Sequence, residues 1–132
     1  MGITTGSNEF FTVSLPIVET FKLQPYAKPL VGRSVQVIGP KFTYEDWLNN
    51  RNGKARAHFL VFPTLREIQG NEEALKYLRI GESKGINRGY KCGIREEWQM
   101  VPSVWISDAL FIRRNNLYSK LIVNEAKVYT TD

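Results

Sequence analysis

The run Gly89-Tyr90-Lys91-Cys92-Gly93-Ile94-Arg95-Glu96-Glu97-Trp98-Gln99-Met100-Val101-Pro102 interleaves basic, aromatic and aliphatic side chains. Taken every second residue from Lys91, one face carries Gly93, Arg95, Glu97 and Gln99. The other carries Cys92, Ile94, Glu96, Trp98 and Met100. Such alternation predicts a half-buried strand with an apolar face to the core and a polar face to water or a partner. Lys91 and Arg95 on that polar face suit phosphate, and an arginine fork also fits the edge of guanine. The same pattern fits an ordinary amphipathic strand whose charges are merely solvated.

Outward from this run the chain reads as short elements. Gly2–Gly6 predicts a loop, and Glu9–Leu15 a strand offering Phe10, Val13 and Leu15 to a core. Pro16 opens a short helical turn through Lys22. Ser34–Ile38 predicts a strand ended by Gly39-Pro40. Thr43 with Asp46 three residues on forms a variant capping box, opening a helix that ends near Asn50–Gly53. Ala57–Phe62 predicts a strand. Asn71 caps a second helix, with Glu72 and Glu73 in its positive first turn and Ala74, Leu75, Leu78 and Ile80 as its stripe. After Gly89 the pattern turns mostly to strands, at Trp98–Val101, Val104–Ile106, Leu110–Arg113, Lys120–Val123 and Lys127–Thr130. The expected fold is α+β: a mixed, mainly antiparallel sheet with two or three short peripheral helices.

A chain of 132 residues fits a single domain spanning 1–132 with a real core. No apolar run approaches the about 18 residues of a membrane helix, and no secretory signal is visible. With one cysteine, Cys92, an internal disulfide is impossible, which agrees with a cytoplasmic setting. The net charge of +5 is uneven. Residues 1–50 hold four basic and four acidic groups; residues 51–132 hold fourteen and nine, and so carry the whole excess. An acidic partner such as DNA suits that asymmetry.

No catalytic or metal site emerges. One cysteine and one histidine, His58, fall short of a metal cluster, and nothing places them together as a nucleophile pair. The expectation is a core thiol and a satisfied strand histidine. Gly81–Gly85 lacks the full phosphate-loop pattern. Glu96 and Glu97 point to opposite faces of a strand and cannot easily act together.

Groups for binding DNA are present. Cations on phosphates supply affinity, and base-edge groups supply choice. Lys84, Arg88, Lys91 and Arg95 form one cluster. Arg113, Arg114, Asn115 and Asn116 form another, with amides able to pair with adenine. Arg51, Lys54 and Arg56 form a third, around a loop. Each cluster also fits a solvated face or turn. Trp47, Trp98 and Trp105 are expected in the core.

In order and spacing, the blocks Gly2–Phe11, Lys28–Arg33, Tyr77–Pro102 and Val104–Asp132 resemble the C-terminal target-recognition region of bacterial adenine-N6 DNA methyltransferases. The similarity is to the TaqI-like specificity domain of restriction–modification enzymes. The stretch Lys41–Gly70 has no counterpart. The chain departs from the pattern at Gly93, where a basic residue is common, and at Glu96-Glu97, where Lys-Pro is common. An acidic pair there repels phosphate.

The resemblance implies a fragment of a larger methyltransferase: a non-catalytic, sequence-specific recognition domain for double-stranded DNA. Its partners would be the duplex and the catalytic domain of the same polypeptide. S-adenosylmethionine and the Asn-Pro-Pro-Tyr-type loop would belong to that catalytic domain, and no cofactor to this one. It also sets the turn holding Thr5 and Asn8 near the interdomain cleft, against DNA or the catalytic domain, and a purely structural turn fits these residues equally. Two other readings stand beside it. One is a protein-interaction module whose basic surface meets an acidic partner, and the other a small hydrolase using Cys92.

Overall fold

The computed structural model describes residues 3–32, 40–53, 55–102, 104–114 and 118–131, with the backbone alone at 111–114 and 118–120. Among the described residues, two small sheets and six helices give the expected α+β class. The first sheet has the order β1 (Thr12–Val13), β4 (His58–Leu60), β2 (Ala27–Pro29), all antiparallel. The second has the order β3 (Lys41–Phe42), β6 (Tyr118–Asn124), β5 (Ala109–Arg114). There β3 runs parallel to β6, and β5 pairs antiparallel with it. The C-terminal stretch ties the sheets together: Val31 donates to the Tyr129 carbonyl at 3.0 Å and Tyr129 to that of Pro29 at 2.8 Å. Ile3 donates to the Thr130 carbonyl at 2.8 Å.

Local chemistry explains the elements that the sequence announces. Helix α3 (Tyr44–Asn52) opens on a true capping box: Thr43 accepts from the Asp46 amide, and Asp46 accepts from the Thr43 amide. Helix α5 (Glu72–Ser83) is capped by Asn71, whose side chain accepts from the Ala74 amide at 3.1 Å. Its buried positions are Ala74, Tyr77, Leu78 and Gly81, whereas Ile80 is exposed. Helix α2 (Leu15–Thr20) starts with Pro16 in its first turn, and α4 (Leu65–Ile68) is a single turn that the sequence pattern did not announce.

Several expectations are overturned. The segment Glu9–Leu15 opens as a helical turn, α1 (Asn8–Phe11), before the two residues of β1. Phe10 and Phe11 are adjacent yet both buried, which alternation on a strand facing water would not allow. The run Gly89–Pro102 is not a strand. It follows a 3-10 turn at Ile86–Arg88 and contains α6 (Tyr90–Gly93), then a series of turns. Gly93 donates to the Gly89 carbonyl at 2.7 Å, so the backbone satisfies itself locally and needs no strand partner. The inner face expected for it does not exist: Cys92 is buried, but Ile94 is 69% exposed. Trp98–Val101 and Val104–Ile106 are irregular, and Lys127–Thr130 supplies only a bridge at Tyr129. Trp105, expected in the core, is exposed. The strand expected at Ser34–Ile38 lies outside the described residues.

Two apolar clusters result. The larger holds Phe10, Phe11, Leu23, Phe59, Phe62, Ile68, Leu78 and their neighbours. Its aromatic centre is Phe10, stacked on Tyr77 at 4.5 Å, edge-on to Phe11 at 5.0 Å and tilted against Trp98 at 5.3 Å. Gly81 permits this, because a Cβ there would stand 2.5 Å from the Phe10 ring. The smaller cluster sits under the second sheet and holds Val31, Phe42, Trp47, Ala57, Leu110, Ile122 and Val128. The Trp47 indole donates to the Ala57 carbonyl at 2.8 Å and links α3 to the strand beyond it. Buried Asn124 closes the last turn, bonding Val128 in both directions and donating to the Ser107 carbonyl.

Candidate nucleic-acid interface

The twelve residues from Lys84 to Arg95 contain four cations and no acid. The fold divides those cations. Lys84 caps the end of α5, Arg88 closes the 3-10 turn and Lys91 rides on α6; all three side chains are exposed. The 3-10 turn packs against both helices, so these cations belong to one connected projection. Glu82 and Glu96, also exposed, border it.

Arg95 does different work. Its guanidinium donates to the Thr5 carbonyl at 2.6 Å and to the Trp98 carbonyl at 3.1 Å. It also lies 5.8 Å from the Phe11 ring centroid. It therefore does not share an outward polar face with Lys91. Gly6 makes the close approach possible: its φ is +91°, and a Cβ would meet Cys92 Sγ and Lys91 Cβ at 3.0 Å. The blocks that lie 80 and more residues apart in sequence, around Thr5 and around Arg95, thus meet in space.

The turn at Thr5–Asn8 is internally organised. Thr5 is buried and its hydroxyl bonds Asn8 Oδ1 at 2.7 Å, while the Ser7 amide donates back to the same hydroxyl at 3.1 Å. Asn8 itself is exposed. Arg113 and Arg114 lie at the end of β5, opposite Ser119 and Tyr118. Asn115 and Asn116 lie outside the described residues, and so does Lys54. Arg56 donates to the Glu9 and Thr12 carbonyls at 3.1 and 3.3 Å, at the rim of a cleft of about 480 Å³ that Lys84 also borders.

The acidic pair is split as well. Glu97 accepts from the Leu65 amide at 2.8 Å and from the Gln99 amide group at 3.1 Å, while Glu96 is exposed. Their separation follows from turns, not from strand alternation.

No thiol chemistry is assembled. Cys92 is buried against Gly6 and Arg95, and burial pushes its pKa up, away from the reactive thiolate; the Arg95 charge only partly opposes this. His58 packs edge-on to Trp47 at 5.6 Å, in β4. Burial, then the Arg51 charge, lower its pKa, and a backbone hydrogen bond at Val13 only partly opposes them. The expected strand placement is correct, but its Nδ1 has no hydrogen-bond partner among the described residues. Among the described residues no group of three or more His, Cys, Asp or Glu could hold a metal, and no helix is long and apolar enough to cross a membrane.

The model of one protein family, described as the type II methyltransferase M.Eco57I, C-terminal domain, matches residues 1–132. The chain belongs to that family. Comparison with curated proteins and with solved structures gave no match. The family match covers Lys41–Gly70, the stretch without counterpart in the sequence pattern, so β3, α3, β4 and α4 are part of the family's domain. The chain is thus the C-terminal domain of a type II methyltransferase.

Proposed function

We propose that this domain is a non-catalytic target-recognition unit for double-stranded DNA, of the TaqI-like specificity type, serving adenine-N6 methylation in a bacterial restriction–modification system. Membership of the methyltransferase C-terminal family carries the reading. The exposed cations Lys84, Arg88 and Lys91, which have no acid between them in sequence and no ion pair among the described residues, support it, because such groups suit phosphates. In this reading S-adenosylmethionine, which supplies the methyl group, belongs to the catalytic domain of the same polypeptide. The residues described here hold and register the duplex while the adenine is turned out of the stack. Lys84, Arg88 and Lys91 contact the backbone. Arg113 and Arg114, at the end of β5, contact the DNA, and so do Asn115 and Asn116, which lie outside the described residues. Asn8 lies at the cleft toward the catalytic domain, and the whole acts in the cytoplasm. Arg95 and Thr5 hold the projection in place, since their polar groups already face each other at 2.6 Å.

Selection from a random duplex library with the full-length protein tests the proposal. One enriched sequence, methylated at an adenine N6 within it, is expected. Enrichment of no sequence, or methylation at another atom, overturns it.

A further inference from the structure

Helix α6 carries an apolar pair on its outer side. Tyr90 is 79% exposed and Ile94 69%, more than any other large hydrophobic side chain among the described residues. Residues four apart share one face of a helical turn, and Ile94 keeps α-helical dihedrals at the C-cap. Cys92, two residues from each, points the other way and is buried. The tip is therefore rooted: Cys92 packs beneath it against Gly6, and Arg95 fastens the following turn to Thr5 and Trp98.

Charge identifies what covers this pair. Lys91 lies between the two apolar residues in sequence and Arg88 lies just before them, both exposed, and no acid stands between Lys84 and Arg95. A protein core partner would not select such a ring of cations, whereas a polyanion would. Phosphate contact alone leaves an exposed aromatic ring and a branched aliphatic chain unexplained. A ring set among cations, on a projection anchored by Cys92 and Arg95, suits the one polyanion whose interior is apolar and aromatic: the stacked bases. Glu96, two residues past Ile94, repels phosphate on its own side and directs backbone contacts toward Arg88 and Lys91.

We propose that Tyr90, backed by Ile94, stacks on or between the bases of duplex DNA where the helix is locally opened, while Arg88 and Lys91 hold the adjoining phosphates. This deepens the DNA-recognition reading and rests on it: the tip would read deformability, not hydrogen-bond pattern.

The test uses the full-length protein, wild type and three variants, titrated against a mixed-sequence duplex and against the same duplex with one abasic position. A gap already free of its base spares the cost of unstacking, so the wild type is expected to bind the abasic duplex more tightly. Tyr90→Ala should lose roughly 5- to 150-fold on that duplex, the range spanned by stacking one base on an aromatic ring, with an unchanged salt slope. Tyr90→Phe should retain the preference. Lys91→Ala should flatten the salt slope and keep the preference. Salt-sensitive binding by the wild type with no effect of Tyr90→Ala overturns the stacking role alone. So does a Tyr90→Ala variant that binds DNA normally but melts earlier without DNA, because the face would then be packed on protein. No DNA binding by the wild type at any salt overturns the recognition reading and this inference together.

Discussion

The two halves of the Lys84–Val101 region use the same kinds of residue for opposite ends. From Lys84 to Ile94, cations, an aromatic ring and a branched aliphatic chain face water. From Arg95 to Val101, a cation, an acid, an aromatic ring and an amide are turned inward. Arg95 binds two carbonyls, Glu97 binds a distant amide, Trp98 packs on Phe10 and Gln99 donates to the Pro63 carbonyl. Composition does not separate the halves. What separates them is whether another part of the chain offers a backbone group to each side chain. Thr5, Leu65 and Pro63 do so for the second half, and among the described residues nothing comparable faces the exposed cations of the first. The inward half is held by the fold, and the outward half is left exposed.

The sharpest way to break this comparison is to remove the support beneath the inward half. Phe10→Ala should cost about 3–5 kcal/mol, since the ring is buried at the centre of the aromatic cluster. Urea unfolding measures it. A loss below about 1 kcal/mol would show that the cluster is not the support described.

Arg95→Ala comes next. Two charge-assisted bonds to carbonyls and a contact with Phe11 are lost, for an expected destabilisation of about 2–3 kcal/mol. The salt slope of DNA binding by the folded variant should stay that of the wild type. A flattened slope with intact stability would return Arg95 to the outward set.

Glu96 and Glu97 offer a matched pair, adjacent in the second half, of which Glu96 is exposed and Glu97 is turned inward. Glu97→Ala leaves the Leu65 amide and the Gln99 side chain short of an acceptor and should cost about 1 kcal/mol. Glu96→Ala should leave stability unchanged and strengthen DNA binding slightly by removing a repulsive charge. Equal stabilities for the two variants would erase the division drawn here.

The smallest effect belongs to Lys91→Ala, which should leave stability unchanged because the side chain is exposed. Its signature is a log–log salt slope flatter by about 0.9 on B-form DNA, equally on all sequences. A sequence-dependent loss would make Lys91 a base reader.

The sequence by itself determined the features whose causes lie within a few residues. Thr43 with Asp46, Asn71 with Glu72 and Glu73, and Pro16 specified helix starts, because a cap and its target amides are three positions apart. The strands β5 and β6 and the core of β4 are legible from β-branched and aromatic runs, whereas the pairing of β5 with β6 is not. Charge asymmetry pointed to an acidic partner, and the ordered blocks pointed to the methyltransferase C-terminal family that the full-length match supports.

Only the tertiary structure decided the fate of Gly89–Pro102. Its alternation fits a strand, but a strand needs a neighbour to pair with, and sequence periodicity does not reveal whether one exists. Here local bonds and distant carbonyls satisfied the backbone and the side chains instead. Likewise Trp105 is as apolar as Trp47, yet only Trp47 finds a carbonyl for its indole within a cluster. Which cation is spent inside the fold and which is left for a ligand depends on contacts up to 90 residues apart, and those belong to the folded chain alone.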